Sequence, residues 1–600
     1  MLGLEGTATV GIVTSLLLAL ATALGSAPRR PIIAGLAGAA LAAVLFVGLP
    51  VPENLLLHSA IAGGRTQGEL FYLGVGRSAT VTVVEHSEGW RILTNGLPES
   101  GVERREVPDL RFNETAWLSL LPTAARPETE EMLIIGLGGS KTLEGVASSV
   151  KSIDVIELEE EVVTANRLIP RDVQPLDDPR VHLRIGDARG AMNLSDKHYD
   201  AIVSQPSHPW TSGASHLYTR DFFELVHSKL EPGGIFVQWI GAGFVNVELF
   251  GSLMAAMSDV FPHVHVYRPV PAAMVFMASD QPIDLLESGP RALAVAPESF
   301  GRYGIHRVED FYASWSLDSE GVKKLAEGRP INTDDHNRLA TTRLPAVDRH
   351  MNRDTFDASL AVVDALTPER LAAVDAVAVL RRMHWNGEGP RARKLARRIP
   401  RAERLALEAW AMLDMGPLPR AQSMFRRALE VDPASPAARA GMLASFLGEE
   451  LAPDSLGPAQ TALLKANAAL RAQDWKAIAE LDAELAEIEP GDLLFGSATR
   501  ARAAWRIEGN DPELGREAIG IIDRVLTRER TADHYFMRAK AGHLAGDDAI
   551  AWAALAQLSI NGRPRPALVK SALELTRELG PAPEGSQVMA QLTYLSRGGR

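Results

Sequence analysis

The chain has 600 residues, too many for one hydrophobic core, and that length predicts three or four domains. It is 46% hydrophobic and 23% charged with a formal net charge of −13, which argues against nucleic acid as a partner because phosphate binding needs a basic surface. It contains no cysteine, so disulfides, thiolate zinc sites and thiol nucleophiles are all excluded, and no metal site is expected.

Two uncharged apolar runs, Thr7–Gly25 and Ile32–Leu49, lie near the lower length limit for a membrane span. Ser26–Pro31 (SAPRRP) between them is a tight basic turn. Met1–Gly6 carries no basic residue, unlike the start of a secretory signal, and the runs are rich in small residues that let helices pack in lipid. Residues 1–55 are therefore expected to form two transmembrane helices, with the bilayer as a partner. Ala79–Glu85 and Trp90–Thr94 have strand composition and Asn95–Gly96 is a tight hairpin turn, which predicts a small β-domain over 60–112.

From Met132 to Ser279 strand and helix patterns alternate, as in a doubly wound parallel sheet, within a domain expected at 113–345. Strands are predicted at Met132–Ile135, Ile153–Glu157, Val181–Ile185, Ala201–Ser204 and Ile235–Ile240, and helices at Leu143–Ser149, Glu159–Leu168, Thr219–Leu230 and Val247–Val260. His263–Arg268 and Met274–Ala278 read as a closing antiparallel pair, the habit of methyltransferase-like folds rather than of dehydrogenases. Beyond Arg343 the chain turns to Ala, Leu, Arg and Glu at helical spacing. Ala409–Pro433 resembles a tetratricopeptide repeat, with Ala409, Gly416, Ala421, Phe425, Ala428 and Pro433 at that repeat's offsets; Trp475–Pro490 and Gly542–Leu555 are weaker echoes. Residues 350–600 are expected to stack helix pairs and to offer a concave face to a protein partner.

The strongest chemical signal begins where Leu133–Ile135 runs into Gly136-Leu137-Gly138-Gly139-Ser140. Glycines there let the backbone turn tightly and approach a ligand. Glu157 ends the next strand, where an acid accepts hydrogen bonds from both hydroxyls of a ribose. A dinucleotide fingerprint beginning at Gly136 or Gly138 would need glycine at Lys141 or Leu143, and a triphosphate loop would need glycine at Ser140. Asp187, followed by Ala188, ends the third strand and is expected to face an adenine amino group. Ser204-Gln205-Pro206-Ser207-His208-Pro209-Trp210 leaves the fourth strand at its carboxyl end, where ligands bind in such sheets. It is expected to form the substrate side, with Gln205, Trp210 and Tyr218 lining the pocket.

In this order, the motifs over roughly residues 70–343 resemble the spermidine synthase family, in the version fused to membrane segments in bacteria. The matching stretches are Gly76–Val81 (GRSATV), Asn95–Gly96, the Gly136 loop, Val155–Glu159 (VIELE), Asp178–Val181 (DPRV), Gly186–Asp187 and Leu230–Gln238 (LEPGGIFVQ). Leu217–Phe223 (LYTRDFF) and Asn332–Asp335 (NTDD) are similar to the fused subfamily. The resemblance implies a Rossmann-like seven-stranded sheet behind a small β-domain, with a homodimer among the expected assemblies. It also implies S-adenosylmethionine or its decarboxylated form as co-substrate, held by Gly136, Gly138, Gly139, Glu157, Asp187 and Ala188.

The departures bear on activity. Where the family carries an aspartate that grips the donor's propylamine nitrogen, this chain has Gly139. Where it carries an aspartate that helps to deprotonate the attacking amine, this chain has Ser204, and His208 stands at a second such position. Ser204 and His208 are the candidate catalytic residues, His208 as a replacement base, with Asp334 and Asp335 as candidates for restoring a carboxylate. Three functions follow as expectations: aminopropyl transfer to a small amine, methyl transfer from intact S-adenosylmethionine, or an inactive adenosyl-binding scaffold. The location expected is the bacterial inner membrane. Arg29 and Arg30 favour a cytosolic loop between the spans, whereas the supply of the co-substrate favours a cytosolic enzyme domain, and the second is the expectation kept.

Overall fold

The computed structural model describes residues 68–600 except 87, 105–113, 210–212, 343–348, 416, 562–563, 584–585 and 598–600, and only scattered residues before 68. The two apolar runs lie largely outside the described residues. Val13, Leu17 and Leu18, which are described, are helical and exposed, and among the described residues no helix is long and apolar enough to cross a membrane.

Two compact units are present. One holds the described residues up to Gly101 together with Glu159–Ile169; the other holds Val102–Leu158 and Pro170–Arg600. In the first, β1 (Glu69–Val75), β2 (Thr80–His86), β3 (Gly89–Thr94) and β4 (Leu97–Glu103) form an antiparallel meander. Asn95 (φ 50) and Gly96 (φ 76) are both left-handed, the two-residue turn that matches the twist of a hairpin. The turn from Gly76 to Ser78 wraps the carboxylate of Glu159: Arg77 N–H donates at 3.1 Å and Ser78 N–H at 2.6 Å. A Cβ on Gly76 would collide with Glu159 Oε2, which accounts for the glycine. Helix Glu160–Leu168 starts from this anchored residue.

The second unit is built on one mixed sheet. Its strands are β5 (Glu131–Ile135), β6 (Ser152–Glu157), β7 (Val181–Ile185), β8 (Tyr199–Ser204), β9 (Leu230–Gly241), β10 (His263–Tyr267), β11 (Ala273–Ser279) and β12 (Trp315–Leu317). The spatial order is β12-β10-β11-β9-β8-β5-β6-β7. The run from β9 to β7 is parallel, with Ala201 between Met132 and Ile235, and the β9–β11, β11–β10 and β10–β12 pairs are antiparallel. The sheet therefore has eight strands, not the expected seven. Trp315–Leu317 is too short to stand out as a strand pattern, but it pairs with β10 and covers that edge.

The helices that position the site are α1 (Glu114–Ala125), α2 (Ala188–Asn193), α3 (Arg220–Ser228) and α4 (Val247–Val260). α1 is buried over nearly its whole length and has no polar face, so no amphipathic period marks it in the sequence. The helix expected at Leu143–Ser149 is only Lys141–Glu144, ended at Gly145. A Cβ on Gly145 would lie 2.7 Å from Ala116 Cα, so α1 presses directly on the chain there, and Ser119 Oγ donates to the Thr142 carbonyl at 2.7 Å.

The remainder is helical. It includes α5 (Val308–Ser314), α6 (Ala376–Trp385), α7 (Arg401–Met415), α8 (Leu418–Val431), α9 (Pro512–Leu526), α10 (Ala532–Leu544) and α11 (Asp548–Asn561). α7 and α8 pack as a hairpin in which Ala421, Phe425 and Ala428 are fully buried and Phe425 meets Trp410 edge-on at 5.6 Å. Polar contacts tie this region to α5: Arg528 Nη1 lies 2.6 Å from Asp310 Oδ2 and donates to the Gly304 carbonyl at 2.9 Å. Asp310 is fully buried; burial pushes its carboxyl up, but Arg528 and Arg382 overcome that and hold it at about 2.

Candidate active site

Four adjacent parallel strands, β8, β5, β6 and β7, deliver the candidate residues to their carboxyl ends. Backbone bonds knit their ends together: Gly136 N–H to the Ile156 carbonyl at 2.9 Å, Gln205 N–H to the Ile135 carbonyl at 3.0 Å, and Gly186 N–H to the Glu157 carbonyl at 2.8 Å. Gly136 has φ +91 and a Cβ there would lie 2.8 Å from the Gln205 carbonyl oxygen, so turn geometry and crowding both require glycine. Gly138 (φ 51) and Ser140 (φ 65) continue the left-handed loop, and Thr142 Oγ1 donates to Gln205 Oε1 at 2.6 Å.

Glu157 is 8% exposed, and its Oε2 accepts from Leu137 N–H at 2.8 Å. One carboxylate thus joins the β6 end to the glycine loop. Asp187 caps α2, its Oδ2 accepting from Gly190 N–H at 2.6 Å, and it is exposed, whereas Ala188 behind it is buried. Leu158 and Ile185, 50% and 41% exposed, follow Glu157 and precede Gly186. Gly186 has φ +156 with nothing within 4 Å of where a Cβ would stand. The adjoining ends of β6 and β7 thus carry a nearly buried carboxylate, two exposed apolar side chains and a second, exposed carboxylate.

The substrate side differs from expectation in two respects. Ser204 is fully buried and its Oγ has no hydrogen-bond partner, so the hydroxyl is not presented to a ligand. Tyr218 is fully buried, with its hydroxyl donating to the Trp239 carbonyl at 3.2 Å. It is a core residue rather than a pocket wall. Its aromatic ring belongs to the buried core that also holds Phe222 and Phe223 of α3, and its hydroxyl needs the strand carbonyl once enclosed. Gln205 and His208 are half-buried, His208 stacked on Phe244 at 4.8 Å, and Trp210 lies outside the described residues.

The NTDD stretch also takes a role the sequence does not announce. Asn332 Nδ2 donates to the Tyr218 carbonyl at 2.9 Å, and Asn332 Oδ1 accepts from Arg338 N–H at 2.8 Å. Asp334 receives Arg189 through both guanidinium nitrogens and Thr219 Oγ1 at 2.8 Å, while its own N–H donates to Asp221 Oδ2 at 2.9 Å. The bonds to Arg189 hold the Asp334 carboxyl at about 2. Asp334 is therefore committed to an ion pair and is not a spare acid for an amine; Asp335 is exposed. Arg189, Thr219 and Arg171, whose Nη2 donates to the Gly139 carbonyl at 3.0 Å, are site-forming residues that sequence reasoning missed. Thr219 lies in the quoted LYTRDFF stretch, whereas no quoted stretch contains Arg189 or Arg171. Among the described residues no three His, Asp or Glu side chains converge as a metal site.

Residues 111–279 match the Spermine/spermidine synthase domain family. Polyamine aminopropyltransferase 2 of Pseudomonas aeruginosa is 34% identical over 150 residues, 24% of this chain and 43% of that protein. Putrescine N-methyltransferase 2 of Nicotiana attenuata is 30% identical over 154 residues, 25% of this chain and 41% of that protein. The chain thus spans about two fifths of the length of these curated relatives. A solved structure described as a probable spermidine synthase from Corynebacterium glutamicum is 23% identical, covering 46% of this chain and 99% of that one, with a TM-score of 0.33. The match to the spermine/spermidine synthase domain thus falls on the central part of the chain, which has a Rossmann-like α/β fold and is continued by a large helical region.

Proposed function

We propose that this chain is a membrane-anchored transferase that holds an adenosyl sulfonium donor at the β5–β6–β7 ends and moves one sulfonium-bound alkyl group to an amine. The observation that carries this reading is Glu157: a nearly buried carboxylate at a strand end, bonded to the glycine loop and followed across Gly186 by Asp187. Transfer of this kind needs mainly alignment and a neutral amine. The amine lone pair forms the new C–N bond, the C–S electrons pass to sulfur to leave a neutral thioether, and an N–H proton leaves to a base or to water. His208 is the base proposed, since its ring is half-buried on the loop after β8 and an imidazole nitrogen can accept a proton.

The family match and the aminopropyltransferase relative support an aminopropyl group and a diamine acceptor. Methyl transfer is the second reading, favoured by Gly139 in place of an acid and by the relative named as a putrescine N-methyltransferase. The two uncharged runs support the anchor, in a bacterial inner membrane with the domain in the cytosol, and the α7–α8 hairpin supports a repeat-like tail for a protein partner. The test is calorimetric titration of the full chain with 5′-methylthioadenosine, which carries the adenosyl thioether and no charged tail. Saturable binding lost on Glu157→Ala supports the reading, and absence of binding overturns it.

A further inference from the structure

A cavity of about 110 Å3 lies where the turn between β10 and β11 meets the helical region, and none of the residues assigned to the donor lines it. Arg268 and Pro271 of that turn form one wall, helix Arg349–Val362 a second, and Glu388 with helix Gly389–Leu395 a third. Ion pairs hold these walls. Arg268 Nη1 lies 2.8 Å from Asp357 Oδ1, and Arg391 meets Asp364 through Nε at 2.8 Å and Nη2 at 2.9 Å.

Those pairs leave part of each guanidinium unspent. Arg391 Nη1 and Arg268 Nε are enclosed and have no hydrogen-bond partner, in residues that are 8% and 3% exposed. A guanidinium offers five N–H donors, and an enclosed donor without an acceptor is destabilising. Glu388 Oε1 also makes no hydrogen bond, but Arg268 Nη2 at 3.2 Å balances its charge. Nor do the charges around the cavity cancel. Arg268, Arg391, Arg398 and Lys394 face only Asp357, Asp364 and Glu388, which leaves one positive charge over. Arg398 gives its Nη1 to the neutral Leu366 carbonyl at 2.6 Å, and Lys394 is exposed.

We propose that this cavity is a binding site for one small oxyanion of single negative charge, a carboxylate or dihydrogen phosphate, held by Arg391 Nη1 and Arg268 Nε. An oxyanion supplies an acceptor to both donors at once and neutralises the surplus charge. A water occupies about 30 Å3 in the liquid, so the volume admits an ion of roughly five heavy atoms and nothing as large as a nucleoside.

The test is calorimetry and thermal melting of the full chain titrated with sodium acetate and, separately, with sodium phosphate, against sodium chloride at matched ionic strength. Saturable binding of one ion per chain is expected, with a melting temperature that climbs with acetate or phosphate and not with chloride. The tighter of the two ions identifies the class of ligand. Ala361→Leu fills the cavity while leaving every charged group in place, and should weaken binding at least tenfold. Arg391→Lys keeps the charge that faces Asp364 but removes Nη1, and should weaken binding severalfold; where that chain does not fold, Ala361→Leu decides. Stabilisation that follows ionic strength alone overturns the proposal, and so does an Ala361→Leu chain that binds both ions as tightly as the parent.

Discussion

Arg189 and Asp334 are 145 residues apart in the chain and meet in a two-point ion pair, Nη1 to Oδ1 at 2.9 Å and Nη2 to Oδ2 at 2.7 Å. Arg189 sits two residues after Asp187 on α2, and Asp334 also receives Thr219, the residue that caps α3. The far end of the domain thereby fixes the helix that begins at the proposed adenine contact. Asp334→Asn keeps the shape and removes the charge, so α2 should loosen without global unfolding. The expected result is severalfold weaker binding of 5′-methylthioadenosine with a melting temperature lowered by only a few degrees, read by calorimetry and thermal melting. Unchanged affinity would show that the latch does not position Asp187.

Glu157→Ala removes the carboxylate proposed to hold the ribose. A hydrogen bond to a charged group contributes about 1.5–3 kcal/mol, so adenosyl affinity should fall by roughly one to two orders of magnitude. Leu137 N–H loses its 2.8 Å acceptor in the same variant, so circular dichroism has to confirm folding alongside the titration. Glu157→Gln, which keeps an acceptor for Leu137, should recover stability ahead of affinity.

Much of the site's frame was legible in the sequence because parallel strands buried on both faces are short apolar runs ended by glycine or acid. Val181–Ile185 and Val247–Val260 coincide with the observed elements, and backbone hydrogen bonds join the ends of β5, β6 and β7, which carry the Gly136 loop, Glu157 and Asp187. What escaped has physical causes. α1 is buried all round and has no 3.6-residue period, and β12 is three residues long. Arg189–Asp334 and Arg171–Gly139 join segments that nothing local connects. Tyr218 misled because a tyrosine beside a pocket motif and a tyrosine under a helix look alike in sequence; only its enclosure separates them.

The junction between α5 and the helical region should be acid-labile. Asp310 is held at about 2, below the roughly 3.9 of a free aspartate, so its ionised form stabilises the fold above pH about 4. That contribution, on the order of 2 kcal/mol, is lost as pH falls from about 4 toward 2. Hydrogen exchange around Thr527–Glu529 should therefore accelerate across this window more than exchange in β5 or β8. Asp310→Asn should already show the acid behaviour at neutral pH. An identical pH response in the junction and the sheet would refute this assignment.

In the helical region, Phe425 is fully buried between α7 and α8, edge-on to Trp410, and a Cβ on Gly441 would overlap its ring. Phe425→Ala should cost about 3–5 kcal/mol through lost burial and the cavity left behind. Gly441→Leu should destabilise by overpacking at the same place. Denaturant melts of both variants check this, and the adenosyl titration should remain saturable wherever the sheet domain stays folded.

Spermidine formation from putrescine and decarboxylated S-adenosylmethionine should be weak or absent. A diammonium acceptor has to be held by carboxylates and lose a proton before it attacks. The resemblance to the family puts Gly139 and Ser204 where its two aspartates would fall, and the Ser204 hydroxyl is enclosed. Asp334, one of the two acids offered in sequence to compensate, is bound to Arg189 and held at about 2, so it neither grips an ammonium nor accepts its proton near neutrality. The remaining base is His208, and activity that depends on it should be lost in His208→Gln. Product analysis by mass spectrometry decides the matter. Robust spermidine synthesis that survives His208→Gln would mean that an acid outside this set, Asp335 first among them, supplies the base.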